Sequence, residues 1–345
     1  MKKNLYLFAF AVCLFSTFHT QAKVWRINNT PGVSADFATG SLALASSSVV
    51  NDDTLYFEGS ATAHTGFTLS KRLVLIGTGY FLTGANSNSG LQANNNSSYF
   101  ANASFYIDSS ASGSTFIGLD YFTIGNGPTL GAGTDNITVT RCHLYNMTQV
   151  YGIQANQIMT GWKINKCYFY AGLNFNVFTV HNWEITNNIF IGTLAMNNTN
   201  NLNNLIRNNV FRTNIDIYSA YFSNNIIAGN TFTNVNVTIK NNISNGTNLP
   251  AGNGNLNSQP DASVFQGLSG NSLDGQWRLK AASPAIAAGE TISAITPDCG
   301  AYGTADPYKL SGIPAIPTIY LLTVPASVAS NATTMPITIS TKSNN

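Results

Sequence analysis

The sequence predicts an all-β fold: a parallel solenoid with coils of about 21 residues and a short β tail at its C-terminal end. Three observations predict it. A short phrase recurs along the chain at a nearly fixed interval. Within each copy, the apolar residues fall into two strand-like runs on either side of a corner. The composition favours strands and tight turns, because asparagine, glycine, serine and threonine are abundant. Hydrophobic residues make up 44% of the chain and charged residues only 9%, against ~25% charged in an average soluble protein.

The N-terminus reads MKKNLYLFAFAVCLFSTFHTQA. Two lysines, an apolar run over residues 5–15 and a small residue at Ala22 describe a secretory signal peptide, with cleavage expected after Ala22. The run is too short to span a bilayer, and no later segment is long and apolar enough to do so. Cys13 follows the bulky Val12, which speaks against lipid attachment. The mature chain is therefore expected to be secreted, extracellular or held at the cell surface by contacts. With a net charge of +2 and no basic block, the chain is not expected to take nucleic acid as a partner. Cys142, Cys167 and Cys299 remain after cleavage, an odd set without close CxxC spacing. Neither a complete disulfide framework nor a zinc site is expected.

The repeat follows. Aligned on one position, "TFIGLDYF" presents Asp120, "ITVTRCHL" Cys142, "WKINKCYF" Cys167, "WEITNNIF" Asn188, "LIRNNVF" Asn209 and "IIAGNTF" Asn230, in steps of 22, 25, 21, 21 and 21 residues. A period of this size signals a solenoid. Three residues before that position stand Ile117, Val139, Ile164, Ile185, Ile206 and Ile227; two residues after it stand Phe122, Leu144, Phe169, Phe190, Phe211 and Phe232. The odd step of three breaks strict alternation, so each copy is a strand, a corner and a second strand. An inward asparagine at the corner tolerates left-handed backbone and bonds its equivalent one coil away, ~4.8 Å distant. Cys142, Cys167, Asn188, Asn209 and Asn230 are the expected ladder, with Cys142 and Cys167 stacked as thiols rather than joined as a disulfide. No helix fits between copies and the leucine-rich pattern is absent. The expectation is a right-handed parallel β-helix over residues 23–306, with a β-strand tail over residues 307–345.

Two flanking segments carry a resemblance. "NDDTLYFEGSATAHTGFTLSKRLVLIGTGYF" (residues 51–81) is similar to the first coils, and "SPAIAAGETISAITPDCGAYG" (residues 283–303) to the closing segment, of exported right-handed β-helix proteins of the pectate-lyase-like superfamily, Bacteroidetes type. Asn51-Asp52 stands where Gly-Asp is usual, and Ala287 where an aspartate is common. The resemblance implies a fold and not an activity, since this superfold carries lyases, hydrolases, adhesins and inert stalks. In the tail, residues 319–324 and 337–341 read as two strands that need something to pack on.

The outward positions supply the site candidates. One residue after the aligned position come Tyr121, His143, Tyr168, Ile189, Val210 and Thr231; three after it come Thr123, Tyr145, Tyr170, Ile191, Arg212 and Thr233. An aromatic and aliphatic stripe on a wet face calls for a partner. Tyr121, His143, Tyr145, Tyr168 and Tyr170 are candidate glycan-binding residues, because tyrosine offers a flat apolar face and a phenol hydroxyl. The competing expectation, which we favour, is that the apolar tail or a long loop covers the stripe.

Catalytic signals are sparse. A polysaccharide lyase needs a base and a cation or Ca²⁺, and a calcium site needs clustered carboxylates. The acids here are few and scattered, Asp120 is expected to face inward, and His143 and His181 have no carboxylate partner by sequence. The paired aspartates of pectin hydrolases are missing. Lys163, Glu184 and Arg207, beside Thr138, Arg141 and Lys166, form the best outward polar cluster, with a plain Lys163–Glu184 ion pair the expected arrangement. No metal and no cofactor is expected, Ca²⁺ entering only under a lyase reading. The leading expectation is an exported, non-catalytic protein that binds extracellular or cell-surface glycans or serves as a structural surface element. The alternative is a polysaccharide lyase or glycoside hydrolase acting on a plant or algal polysaccharide.

Overall fold

A computed structural model describes residues 22–126, 133–148, 157–176, 178–229 and 231–344. The chain coils into a parallel β-solenoid. One face is a ten-stranded parallel sheet that adds a strand per coil, from Val24–Ile27 through Thr115–Ile117, Lys163–Asn165 and Asn204–Arg207 to Thr238–Lys240. A second, twelve-stranded sheet carries the strands that follow each corner, such as Tyr168–Asn174 and Val210–Phe211. The signal-peptide assignment lies outside the described residues. Among the described residues, no helix is long and apolar enough to cross a membrane.

Stacking of like on like builds the core. Leu55, Leu75, Phe116, Val139, Ile164, Ile185, Ile206 and Phe222 stand in register along the first sheet, all buried. Across the corner, Phe169, Phe190 and Phe211 stack face to face, with ring centroids 4.5 and 5.0 Å apart. The expected core positions hold for four coils; in the first coil Phe122 holds, opposite Leu144, while the register of the other position shifts there and at the far end. Phe116, not Ile117, pairs with Val139. At the other end Phe222 pairs with Ile206, and Ile227 falls opposite Phe211.

Each corner is a two-residue device. Arg141, Lys166, Asn187, Asn208, Asn224 and Asn241 have φ between 52° and 57°. Asparagine tolerates this left-handed conformation better than most side chains. The residue after each one points inward. Asn188 Nδ2 donates to Asn209 Oδ1 (3.0 Å), Asn209 to Asn225 (3.0 Å), Asn225 to Asn242 (3.1 Å) and Asn242 to Asn255 (3.1 Å). Backbone carbonyls of Ile164, Ile185, Ile206 and Phe222 accept the second amide hydrogens. No amide in this buried file is left unpaired, which is the condition for burying it at all. The ladder thus continues through Asn225, 16 residues after Asn209, where the 21-residue step led to the expectation of Asn230. Residue 230 itself lies outside the described residues. Cys142 and Cys167 end the ladder as free, buried thiols, and burial beside Cys142 pushes the Cys167 thiol far up.

The left-handed residue of each doublet faces outward and fastens a long return segment, residues 261–313. Asn187 Nδ2 donates to the carbonyl of Ala301, Asn208 to Asp298 and Asn241 to Ala288; Asn224 Oδ1 accepts from the amide of Glu290. In earlier coils Lys166 holds Asp306 and Arg141 donates to the carbonyl of Ile313. The segment therefore runs back along the solenoid as a strap. Under it lie Tyr168, Ile189, Val210, Ile226 and Ile243, packed against Phe265, Trp277, Cys299, Ala301 and Tyr308.

This settles what covers the apolar stripe and corrects the expectation for the tail. Strands Thr318–Thr323 and Thr338–Lys342 pair antiparallel with each other, and Ile319, Leu321, Leu322 and Ile339 remain 45–57% exposed. The strap does the covering because the corner side chains offer it a hydrogen bond on nearly every coil.

Candidate functional site

The strap leaves the first coils of the second sheet open, and the site forms there. Its basis is an irregular register. Asp120 pairs with His143 and Phe122 with Leu144, so Tyr121 is left over; Thr123 pairs with Asn146, so Tyr145 is left over. Phe169 pairs with Leu144 and Gly172 with Asn146, which leaves Tyr170 and Ala171 over against Tyr145. Bulges re-aim side chains, and here they bring three tyrosines from three coils together. The rings of Tyr121 and Tyr145 are 5.5 Å apart, those of Tyr121 and Tyr170 5.9 Å, and those of Tyr145 and Tyr170 5.9 Å and stacked. Tyr99 stacks on Tyr121 at 5.8 Å. Tyr99 and Tyr170 are exposed, while Tyr121 and Tyr145 are half-buried. Burial first, and then its phenol neighbours and Asp120, push the Tyr121 phenol up. It remains a hydrogen-bond donor at neutral pH.

Beside the rings lies a cleft of about 500 Å³, lined by Tyr99, Tyr121, Asp120, His143, Ser97 and Asn96 among others. Among the described residues, no lysine or arginine lines it. Asp120 Oδ1 is 2.7 Å from His143 Nδ1, and Ser97 Oγ donates to Oδ2. A carboxylate can only accept, so Nδ1 carries the proton that it donates. Both residues are more than nine-tenths buried, and His143 Nε2 has no hydrogen-bond partner. Phe81, whose ring lies 4.7 Å from the imidazole, and Tyr121, at 5.0 Å, flank it; both have left-handed backbone, with φ of 51° and 54°. Such strain in bulky residues gathers at binding and catalytic sites. Among the described residues, no group of three or more His, Cys, Asp and Glu side chains is placed to hold a metal ion.

The sequence candidates divide accordingly. Tyr121, Tyr145 and Tyr170 come together; His143 sits beneath them in the cleft wall. Tyr168 does not join, being 5% exposed and packed under the strap. Asp120 does not face inward. Leu119 occupies the inward place next to the left-handed Gly118, and the carboxylate swings out to the histidine that had no visible partner. Aligning the copies on their left-handed corner residue, with Gly118 matched to Arg141, recovers this pair; aligning on Phe122 hides it. Ser97, Tyr99, Phe81 and Asn96 were missed because they come from a loop outside the repeat. Lys163 and Glu184 are 3.9 Å apart and both half-exposed, an ion pair worth ~0–1 kcal/mol. Arg207 bonds Ser223 and Glu290 of the strap and stays apart from them. His181 bonds the carbonyl of Asn200.

No protein-family model and no curated protein sequence matches the chain. Among solved structures, the chain is similar to the crystal structure of pectate lyase Pel9A, at 16% sequence identity and a TM-score of 0.33, over 81% of this chain and 96% of that one.

Proposed function

We propose that this is an exported glycan-binding protein whose ligand lies across Tyr99, Tyr121, Tyr145 and Tyr170 and enters the adjoining cleft. The tyrosine cluster carries the reading: four aromatic rings from successive coils touch in a row, and two of them, Tyr99 and Tyr121, line the adjoining cleft with hydroxyl and amide groups. Flat rings pack on the apolar faces of pyranose sugars, and Asn96, Ser97 and the phenols offer partners to the hydroxyls. The absence of a cation in the cleft lining favours neutral sugars over uronates, because a buried carboxylate such as Asp120 repels an acidic ligand. The test is retention of the mature protein on insoluble and soluble neutral polysaccharides, with chain length followed in the same samples. Tyr170→Ala and Tyr145→Ala should each weaken retention by up to about tenfold if each ring contributes ~0.5–1.5 kcal/mol. Undiminished retention in the double variant sinks the proposal.

A second reading has its own observation. The Asp120–His143 pair holds an imidazole whose Nε2 lacks a partner. With Asp120 fixing the tautomer, this imidazole would move a proton on a bound sugar only if a shift of the flanking Phe81 and Tyr121 rings uncovers the buried Nε2. Glycoside hydrolysis by two carboxylates is less suited, since among the described residues Asp120 is the one carboxylate in the cleft lining. Shortened chains with the wild type and none with His143→Gln would favour an enzyme.

A further inference from the structure

The loop over residues 81–97 contributes to the tyrosine cleft at both its ends. Its middle faces a different depression. One part, about 440 Å³, runs between residues 86–91 and Arg278; the next, about 390 Å³, is lined by Arg278, Lys309, Lys342, Tyr302 and Tyr308. Leu91, Arg278 and Leu310 line both, so the two form one groove between the strap, the loop and the last strand.

Its charge is unusual for this chain. Half of the described lysines and arginines pair with carboxylates, among them Arg26 with Glu58, Arg72 with Asp52, Lys163 with Glu184, Arg212 with Asp261 and Lys240 with Glu290; of the rest, Lys71 and Lys280 bond backbone carbonyls and Lys23 lies over Trp25, each apart from the others. Arg278, Lys309 and Lys342 are half-buried and form no ion pair among the described residues. Arg278 lies over the ring of Tyr302 and Lys342 over that of Tyr320. Behind them the buried Arg141 donates only to carbonyls of Ile313 and Asn344, residues of the same groove wall. The nearby carboxylates are engaged. Asp306 pairs with Lys166 and acts at longer range on Lys309 and Arg141, and the fully buried Asp274 accepts from Asn88, Ser272 and the amide of Ser311. Among the described residues, no acid lines either part of the groove.

Three half-buried cations that share no ion pair can together give an anion charge-assisted hydrogen bonds. We propose that Arg278, Lys309 and Lys342 form a groove for the anionic groups, sulfate or carboxylate, of an acidic polysaccharide. The site is separate from the tyrosine cleft and opposite to it in charge. The rings of Tyr302 and Tyr308, whose hydroxyls bond inward, line the groove beside the cations and give it a mixed aromatic and cationic surface that suits a charged sugar.

Dextran sulfate and dextran, which share a backbone and differ in sulfate, are the probes; polygalacturonate supplies the carboxylate arm. The full mature chain is run by affinity electrophoresis at low and high salt. Dextran sulfate should retard it and dextran should not through this groove, with retardation lost at high salt. Arg278→Ala/Lys309→Ala/Lys342→Ala should weaken the dextran sulfate effect at least tenfold. A control losing the same charge, Arg72→Ala/Lys163→Ala/Lys240→Ala, should change it less than threefold, and Tyr145→Ala/Tyr170→Ala should leave it intact. Polygalacturonate binding without dextran sulfate binding assigns the groove to carboxylates. Equal weakening by the two triple variants overturns the proposal, because net charge would then explain the binding. Binding to phosphatidylglycerol vesicles with no response to either polysaccharide also overturns it.

Discussion

Asp120 and His143 meet at 2.7 Å across neighbouring coils because Tyr121 is a surplus residue in its strand. The bulge turns the tyrosine out of the ladder and lets the preceding carboxylate sit directly opposite the histidine. One irregularity therefore supplies both an aromatic wall and a buried polar pair. Ser97 completes the carboxylate's partners from a loop that the repeat does not contain.

Asp120→Asn should destabilise the fold by ~1–3 kcal/mol in urea unfolding, since a buried hydrogen-bonded charge is exchanged for an amide that satisfies His143 less well. His143→Gln should cost a similar amount. If the pair acts on a sugar, both variants retain glycan binding and lose any chain shortening. A neutral Asp120→Asn would mean the carboxylate is solvated rather than held.

The ladder is tested by Asn209→Ala and Asn225→Ala. Each removes an acceptor from the preceding asparagine's backbone and side-chain amides, and a donor to a core carbonyl. Each should cost ~1–3 kcal/mol by the penalty for orphaned buried groups. If Asn225→Ala proves silent in denaturant titration, the coil after Asn209 does not have the register described.

Strap and tail predict opposite outcomes. Deleting residues 316–345 removes exposed apolar strands and leaves the stripe under Trp277 and Tyr308 covered, so hydrophobic-dye binding should fall. Trp277→Ala opens the covered side and should raise dye binding while costing ~3–5 kcal/mol. A rise in dye signal on tail deletion would restore the tail as the cover.

Asp53 provides the acid test. Burial alone would raise its pKa, yet hydrogen bonds from the Lys23 and Val50 amides and the Trp25 indole hold it below its ordinary value. A carboxyl with depressed folded-state pKa contributes stability above its unfolded value, ~3.9. That contribution disappears as pH falls through the folded value. Wild type should therefore exceed Asp53→Asn in stability near neutral pH, and the gap should close below about pH 4. A gap that stays constant down to low pH would contradict the assignment.

Much of the fold was legible in residue order. The 21-residue interval, the isoleucine and phenylalanine positions of the four central coils, and the inward run Cys142, Cys167, Asn188 and Asn209 all stand as read. Local chemistry dictates them: the period sets what stacks, and a polar core residue is tolerated only where its equivalent one coil away satisfies it. The doublets Asn187-Asn188 and Asn208-Asn209 are visible in the sequence as well, but periodicity gives a role only to their second members, because the first members bond the distant strap.

The tertiary structure decided the rest, and in each case for a non-local reason. Ile189 and Val210 look alike whether a tail or a strap covers them; the hydrogen bonds from Asn187, Asn208 and Asn224 to residues 290–301 chose the strap. Ser97 and His143 are 46 positions apart in sequence and share Asp120 only because the coils bring their strands side by side. Periodicity specifies which residues recur on a face. It does not specify where one residue too many turns a side chain aside, because that choice depends on what waits in the neighbouring coil.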